Sequence, residues 1–390
     1  MIVYVPVFLA TALTAFVATP LVRRLAVRFG VIDRPSDRKV HPKPTPTLGG
    51  VALWLATVVG LSVAWLLPGF RSLFDITSEP VGAIIAGTAV VALGTYDDVR
   101  TISAPAKVAG QILAAGVLML AGVQFVYFWF PGFGVLSLSA DLAMPLTVVW
   151  VLILVNAVNL IDGLDGLAAG VVAIAAAAFF VYAEQAGQPL YGGPSPATLL
   201  TVIVAGAALG FLPWNLHPAR IFMGDSGSML LGILLAAATI SGVGRTDAPT
   251  NSDLAALAIP VAIPLLVLAV PLTDVVFAII RRMRRGRPVT RPDKEHIHHR
   301  LLEIGHSHRT AVLLMYLWSA LVAGTALFIT FIRSRTLAVA LVVAVVLVLV
   351  GTSLPRVLRR GSEARRARRA AVPGNGEVAP AARDEVARRL

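Results

Sequence analysis

The chain is 390 residues long, 57% hydrophobic and only 14% charged, where a soluble domain of this length carries about a quarter charged residues. That composition is membrane-embedded, and the absence of cysteine excludes a disulfide framework or a thiolate metal site. The formal net charge of +12 would fit nucleic acid if it were spread over a surface, but the arginines crowd into short segments between long apolar runs.

A membrane-crossing helix needs roughly 20 mainly apolar residues. By that measure the chain is predicted to be an all-α polytopic bundle of about 11 transmembrane helices, at 3–22, 48–67, 80–95, 107–124, 143–160, 167–183, 197–213, 228–243, 254–280, 311–332 and 336–354. No cleavage pattern follows the first span, which is read as a retained helix. The third and eighth are short and rich in small residues, suited to close packing, and Pro260, Pro264 and Pro271 are expected to kink the ninth. Placing the N-terminus outside puts 29 of the 33 Lys and Arg residues on one side, leaving only Arg71, Arg245, Arg333 and Arg335 on the other. This asymmetry predicts a cytoplasmic C-terminus and accounts for the positive charge without nucleic acid. The expected organisation is a transmembrane domain over 1–355, with inner segments at 23–47, 96–107, 156–167, 214–228 and 281–310. A basic, solvated or membrane-surface tail is expected over 356–390.

The inner segments carry the unusual polar residues. The first reads Asp37-Arg38-Lys39-Val40-His41-Pro42-Lys43-Pro44-Thr45-Pro46-Thr47-Leu48-Gly49-Gly50. Its alternating prolines force an extended path, and the glycine pair allows close approach at a helix start. The second, Gly94-Thr95-Tyr96-Asp97-Asp98, ends an apolar span with adjacent carboxylates, which repel unless a cation neutralises them. Lys107 follows, placed either to hold a phosphate or to anchor at the interface. The third contains Asn156, Asn159, Asp162 and Asp165, with Gly163 and Gly166 interrupting the helix. There the two asparagines are expected on a helix-end face and the two aspartates in a turn, all needing a cation or polar ligand. The fourth, Phe222-Met223-Gly224-Asp225-Ser226-Gly227-Ser228, lets backbone approach a ligand, with Ser226 or Ser228 capping the next helix. Its Gly-Asp-Ser-Gly string matches the nucleophile motif of secreted serine proteases, a match discounted at the membrane boundary of a helical chain. The fifth gathers Arg281, Arg282, His296, His298, His299, Arg300, His306 and His308. That arginine density disfavours zinc and suits a phosphate or pyrophosphate.

Together, and in this order, these strings resemble the polyprenyl-phosphate N-acetylhexosamine-1-phosphate transferase family over residues of roughly 20–310. His-Ile-His-His followed by Arg-Leu-Leu resembles the branch that transfers GlcNAc-1-phosphate. The branch that transfers phospho-MurNAc-pentapeptide in peptidoglycan synthesis usually has three consecutive histidines there, and is the alternative reading. Thr47, where many relatives carry arginine, and Val99-Arg100 after the aspartate pair depart from the pattern. The resemblance implies transfer of GlcNAc-1-phosphate from UDP-GlcNAc to undecaprenyl or decaprenyl phosphate, releasing UMP, at the cytoplasmic face of a bacterial inner membrane. It implies Mg²⁺ (Mn²⁺ substituting) on Asp225 and Asn159. Asp97, Asp98, Asp225, His296, His298 and His299 would be catalytic. Lys39, Lys107, Asn156, Asp162, Asp165, Phe222, Arg282 and Arg300 would contact substrates, with Phe222 stacking on uracil. The expected partners are UDP-GlcNAc, polyprenyl phosphate and the lipid bilayer, without nucleic acid; a homodimer is left open. Asp97 is often given the role of base, yet a phosphate monoester has a second pKa near 6 and needs little help from an ordinary aspartate. Two other classes fit less well. An aromatic prenyltransferase would use the Asn-x-x-Asp-x-x-Asp pattern but not the His/Arg cluster, and a transporter would carry its acidic residues near mid-membrane.

Overall fold

The computed structural model describes residues 1–35, 43–130, 134–186, 193–243, 283–284, 307–331 and 335–353. The chain divides into two units, Met1–Val346 and Leu347–Leu390; of the second, only the end of one helix is described. Eleven helices are described: α1 (Tyr4–Arg28), α2 (Gly49–Leu66), α3 (Arg71–Ile76), α4 (Glu79–Val99), α5 (Ala104–Leu120), α6 (Ala140–Ile161), α7 (Leu167–Ala186), α8 (Pro196–Asn215), α9 (Gly224–Ser241), α10 (His308–Phe331) and α11 (Arg335–Ser353). Eight of them, α1, α2, α4 and α6–α10, are long and apolar enough to cross a membrane. In lipid only a helix or a closed barrel satisfies every backbone polar group internally, so long apolar runs fold this way. Ten of the eleven expected spans coincide with helices; the ninth, at 254–280, lies outside the described residues. Proline opens α4, α5 and α8, where its missing N–H costs no helical bond.

Helix α9 is the centre of the bundle. Of its apolar window 89% is buried, against 33% for α1, and α2, α4, α6 and α8 pack around it. Without a hydrophobic force between helices in lipid, close backbone approach supplies the contact. A Cβ on Gly210 of α8 would stand 2.1 Å from the Ala12 carbonyl of α1. These two helices run parallel: Tyr4 donates to Thr198 at 2.9 Å near their starts, and Trp214 Nε1, near the end of α8, donates to the Phe16 carbonyl midway along α1 at 3.0 Å.

Two small sheets close opposite ends. At one end, β1 (Ile32–Asp33) pairs antiparallel with β2 (Thr45–Pro46), the extended path expected of the proline-rich segment. At the other, β3 (Tyr127–Phe130) and β4 (Gly134–Ser137) form a hairpin between α5 and α6 that the hydropathy pattern did not predict. Ser241 donates to the buried Glu79 at 2.5 Å at this second end.

Candidate active site

The site forms where α9 begins. Gly224 takes φ +70°, and a Cβ there would stand 2.5 Å from an Asp98 oxygen and 2.6 Å from Thr47 Oγ1. The α9 start is flanked by the start of α2, whose Gly49 and Gly50 amides donate to the Phe222 and Met223 carbonyls at 3.0 and 2.9 Å. Leu48, just before α2, is held at φ 98°, an uncommon conformation for a side-chain-bearing residue. The Phe222 amide in turn donates to Pro46 at 2.9 Å, so β2 and the α9 loop are stitched together.

The first-turn amides of a helix lack internal partners, and on α9 the end of α4 satisfies them. Asp98 accepts from the Asp225 amide at 2.9 Å, the Ser226 amide at 3.3 Å and the Ser226 hydroxyl at 2.8 Å. This is an N-cap supplied by a different helix. Neither Ser226 nor Ser228 fills that role: α9 begins at Gly224, before both, and Ser228 Oγ turns back to the Gly224 carbonyl at 3.0 Å. The approach requires glycine at position 94, because a Cβ there would meet the Ser226 amide nitrogen at 2.4 Å.

Asp225, in the first turn of α9, is clasped from two sides. Its Oδ1 accepts from Asn159 Nδ2 at 2.6 Å, and its Oδ2 pairs with the Lys107 ammonium. Lys107 also reaches Asp97 Oδ2 at 3.1 Å, while Asp97 Oδ1 accepts from the Ile102 amide at 2.8 Å and closes the α4–α5 turn. One ammonium thus joins two carboxylates. Asn159 further donates to Ser228 Oγ at 2.9 Å, while Asn156, one turn earlier on α6, donates to Gln111 Oε1 at 2.8 Å. Asn156 therefore faces α5 rather than Asp225.

Past the end of α6, Asp162 meets neither a hydrogen-bond donor nor a cation among the described residues. Desolvation, with the Asp225, Asp98 and Asp165 charges, holds its carboxyl well above the usual carboxylate range. Asp165, in the same turn, accepts from His217 Nδ1 at 2.7 Å and from the Ala219 amide at 3.1 Å. His217 stacks on His308 with ring centroids 4.1 Å apart, and the ligand atoms of Asp165, His217 and His308 lie within 4.8 Å of one another. Asn215 fastens the same region, accepting from the Gly166 amide and donating to the Ile221 carbonyl, both at 3.0 Å. Asp165 and Asn215 thus tie down both ends of the loop that leads to the half-buried Phe222.

The structure therefore gathers Asp97, Asp98, Lys107, Asn159 and Asp225 at one end of the bundle, with Asp162 charge-coupled to them. Lys39, Arg282, His296, His298, His299 and Arg300 lie outside the described residues. Gln111 and His217 were not anticipated. A glutamine within an apolar span is a signal that could have been read; a lone histidine before proline is none.

This architecture, a helical membrane bundle with paired aspartates from one helix meeting an aspartate at the start of another, defines a class. The model of "Glycosyl transferase family 4" matches residues 80–243, and the chain belongs to that family. It is 40% identical over 364 residues to the decaprenyl-phosphate N-acetylglucosaminephosphotransferase of Mycolicibacterium smegmatis, covering 91% of this chain and 89% of the relative. It is 38% identical over 317 residues to the probable undecaprenyl-phosphate N-acetylglucosaminyl 1-phosphate transferase of Bacillus subtilis, covering 81% and 82%. The match to the phospho-N-acetylmuramoyl-pentapeptide-transferase of Anoxybacillus flavithermus is weaker, 33% over 246 residues covering 58% and 69%.

Proposed function

We propose that the protein transfers GlcNAc-1-phosphate from UDP-GlcNAc to a polyprenyl phosphate, decaprenyl or undecaprenyl, at the cytoplasmic face of a bacterial inner membrane. The observation that carries the reading is the surplus of negative charge at the start of α9. Among the described residues Asp97, Asp98 and Asp225 stand against the one Lys107 ammonium, and the neighbouring Asp162 meets no cation. Such a set fits a divalent cation, and oxygen donors suit Mg²⁺ with Mn²⁺ as substitute. Asp225 and the amide oxygen of Asn159 would hold it, with Asp162 alongside. When bound, Mg²⁺ supplies neutralisation of the donor's pyrophosphate charge.

The chain's own groups supply position. Asp98 fixes the first turn of α9 and, through it, the direction of the Asp225 carboxylate. Lys107 sets the separation of Asp97 and Asp225 and presents an ammonium to phosphate oxygens. A lipid-phosphate oxygen attacks the β-phosphorus of the donor, a new P–O bond forms, and the bond to the bridging oxygen breaks so that UMP leaves with that oxygen. Phosphoryl transfer of this kind asks chiefly for in-line positioning and charge neutralisation. A dianionic acceptor does not need its proton removed, which makes Asp97 an orienting and electrostatic group. Phe222 is offered to the uracil ring. Lys39, Arg282, His296, His298, His299 and Arg300 are assigned to phosphate and sugar contacts.

Purified protein with Mg²⁺, polyprenyl phosphate and radiolabelled UDP-GlcNAc should give a lipid-extractable label that a chelator abolishes. Transfer from UDP-MurNAc-pentapeptide instead would overturn the donor assignment.

A further inference from the structure

Where α1 and α8 end, Trp214 and two arginines make an arrangement that the transfer reaction does not use. The Trp214 indole is fixed by its bond to the Phe16 carbonyl at 3.0 Å and by the Phe16 ring at 5.5 Å between centroids. The Arg220 guanidinium lies over that indole, 5.4 Å from its centroid, a placement that favours the cation. The Arg220 amide returns to the Trp214 carbonyl at 2.9 Å. Arg23, at the end of α1, donates through Nε to the Arg220 carbonyl at 3.0 Å, which leaves its two terminal nitrogens available. Both guanidinium groups are thus held at this loop before any ligand arrives, one by the Arg220 carbonyl and the other by the Trp214 ring. Among the described residues neither Arg23 nor Arg220 meets a carboxylate, nor does the neighbouring Arg24.

Below this pair runs an exposed apolar strip. Leu9, Leu13 and Phe16 recur at helical spacing on α1 and leave much of their side chains uncovered. In a chain whose helices cross a membrane, that strip faces acyl chains, and the arginine pair stands at the headgroup level of the same leaflet. Apolar tails below and paired, pre-oriented guanidinium groups above match one chemistry, a phosphodiester headgroup with its acyl chains.

We propose that Arg23 and Arg220, with Trp214 as their platform, form a binding site for an anionic phospholipid of the surrounding bilayer. The site is separate from the acidic cluster, and it stands whichever nucleotide sugar is the donor. Because Arg220 lies in the loop that leads to Phe222, its occupant also braces that loop.

Native mass spectrometry of the full detergent-purified chain, titrated with phosphatidylglycerol and with phosphatidylcholine, tests this. The wild-type protein should retain phosphatidylglycerol preferentially. Arg23→Gln/Arg220→Gln should weaken that retention about thirtyfold, the worth of two basic side chains at an anionic surface. The charge-keeping Arg23→Lys/Arg220→Lys should retain part of it, and Arg71→Gln, at the start of α3, should leave it unchanged. The single Arg23→Gln, at an exposed helix end, reads the site even if the double variant fails to fold, and should show an intermediate loss. Equal retention of phosphatidylglycerol by wild type and Arg23→Gln would overturn the proposal. So would displacement of the lipid by inorganic phosphate, which would mark a soluble-anion site. A raised KM for polyprenyl phosphate with phosphatidylglycerol retention unchanged would assign the arginines to the acceptor instead.

Discussion

Asp97 and Asp98 are adjacent in sequence yet do different work in the geometry. Asp98 is spent on α9 amides, whereas Asp97 holds the α4–α5 turn and shares Lys107 with Asp225. Asp98→Ala should therefore lower the melting temperature more than Asp97→Ala, since an N-cap is worth about 1 kcal/mol. Asp97→Ala should be the more damaging to kcat, and equal effects in both assays would argue against the division. Lys107→Gln removes the ammonium between two carboxylates and should reduce kcat by about 10²-fold or more, with donor binding measured separately by calorimetry. Asp162 adds a pH dependence. Its carboxyl is raised in the folded protein, so without metal its contribution to stability is present at low pH and is lost as pH rises through the folded value. A bound divalent cation replaces that proton, so Mg²⁺ should raise the melting temperature more at about pH 8 than at about pH 5.5. A stabilisation independent of pH would remove Asp162 from the cation's surroundings.

At the scale of elements, the meeting of α4 with α9 rests on a missing side chain. Gly94→Val would drive a side chain into the Ser226 backbone and should separate α4 from α9, seen as loss of folded protein in detergent by size-exclusion chromatography. Gly116→Ala on α5 meets nothing within 4 Å and should be neutral or stabilising by about 0.5–1 kcal/mol. Much of this was legible in the sequence. Apolar run length located ten helices, and Gly163 and Gly166 marked the turn that carries Asp162 and Asp165. The motif order brought Asp97, Asp98, Asn159 and Asp225 onto one short list. What hydropathy could not convey was which polar atom meets which. A cap donated by Asp98 from another helix has no local signature, because its partners are 127 and 128 residues away. The same holds for His217 against Asp165, while the β3–β4 hairpin was hidden because its residues are apolar but too few to span.

For the whole molecule, the described motif residues collect at one end of the bundle, where β1–β2 and the α9 start lie. The hairpin and Glu79 mark the other. The charge asymmetry predicts a cytoplasmic location for the first end, and a cysteine-free chain offers a clean background for testing it. Thr101→Cys should react with a membrane-impermeant maleimide only after cells are permeabilised, and Gln124→Cys should react in intact cells; the reverse pattern would invert the topology. The central claim is that the acidic cluster at the start of α9 moves a sugar phosphate and not the sugar alone. Incubation with UDP-GlcNAc carrying ³²P at the β-phosphorus measures this directly. The lipid fraction should carry ³²P, with one UMP released for each labelled lipid, and both should be lost in Asp225→Asn. Release of labelled UDP with an unlabelled lipid product, or full activity in Asp225→Asn, would contradict it.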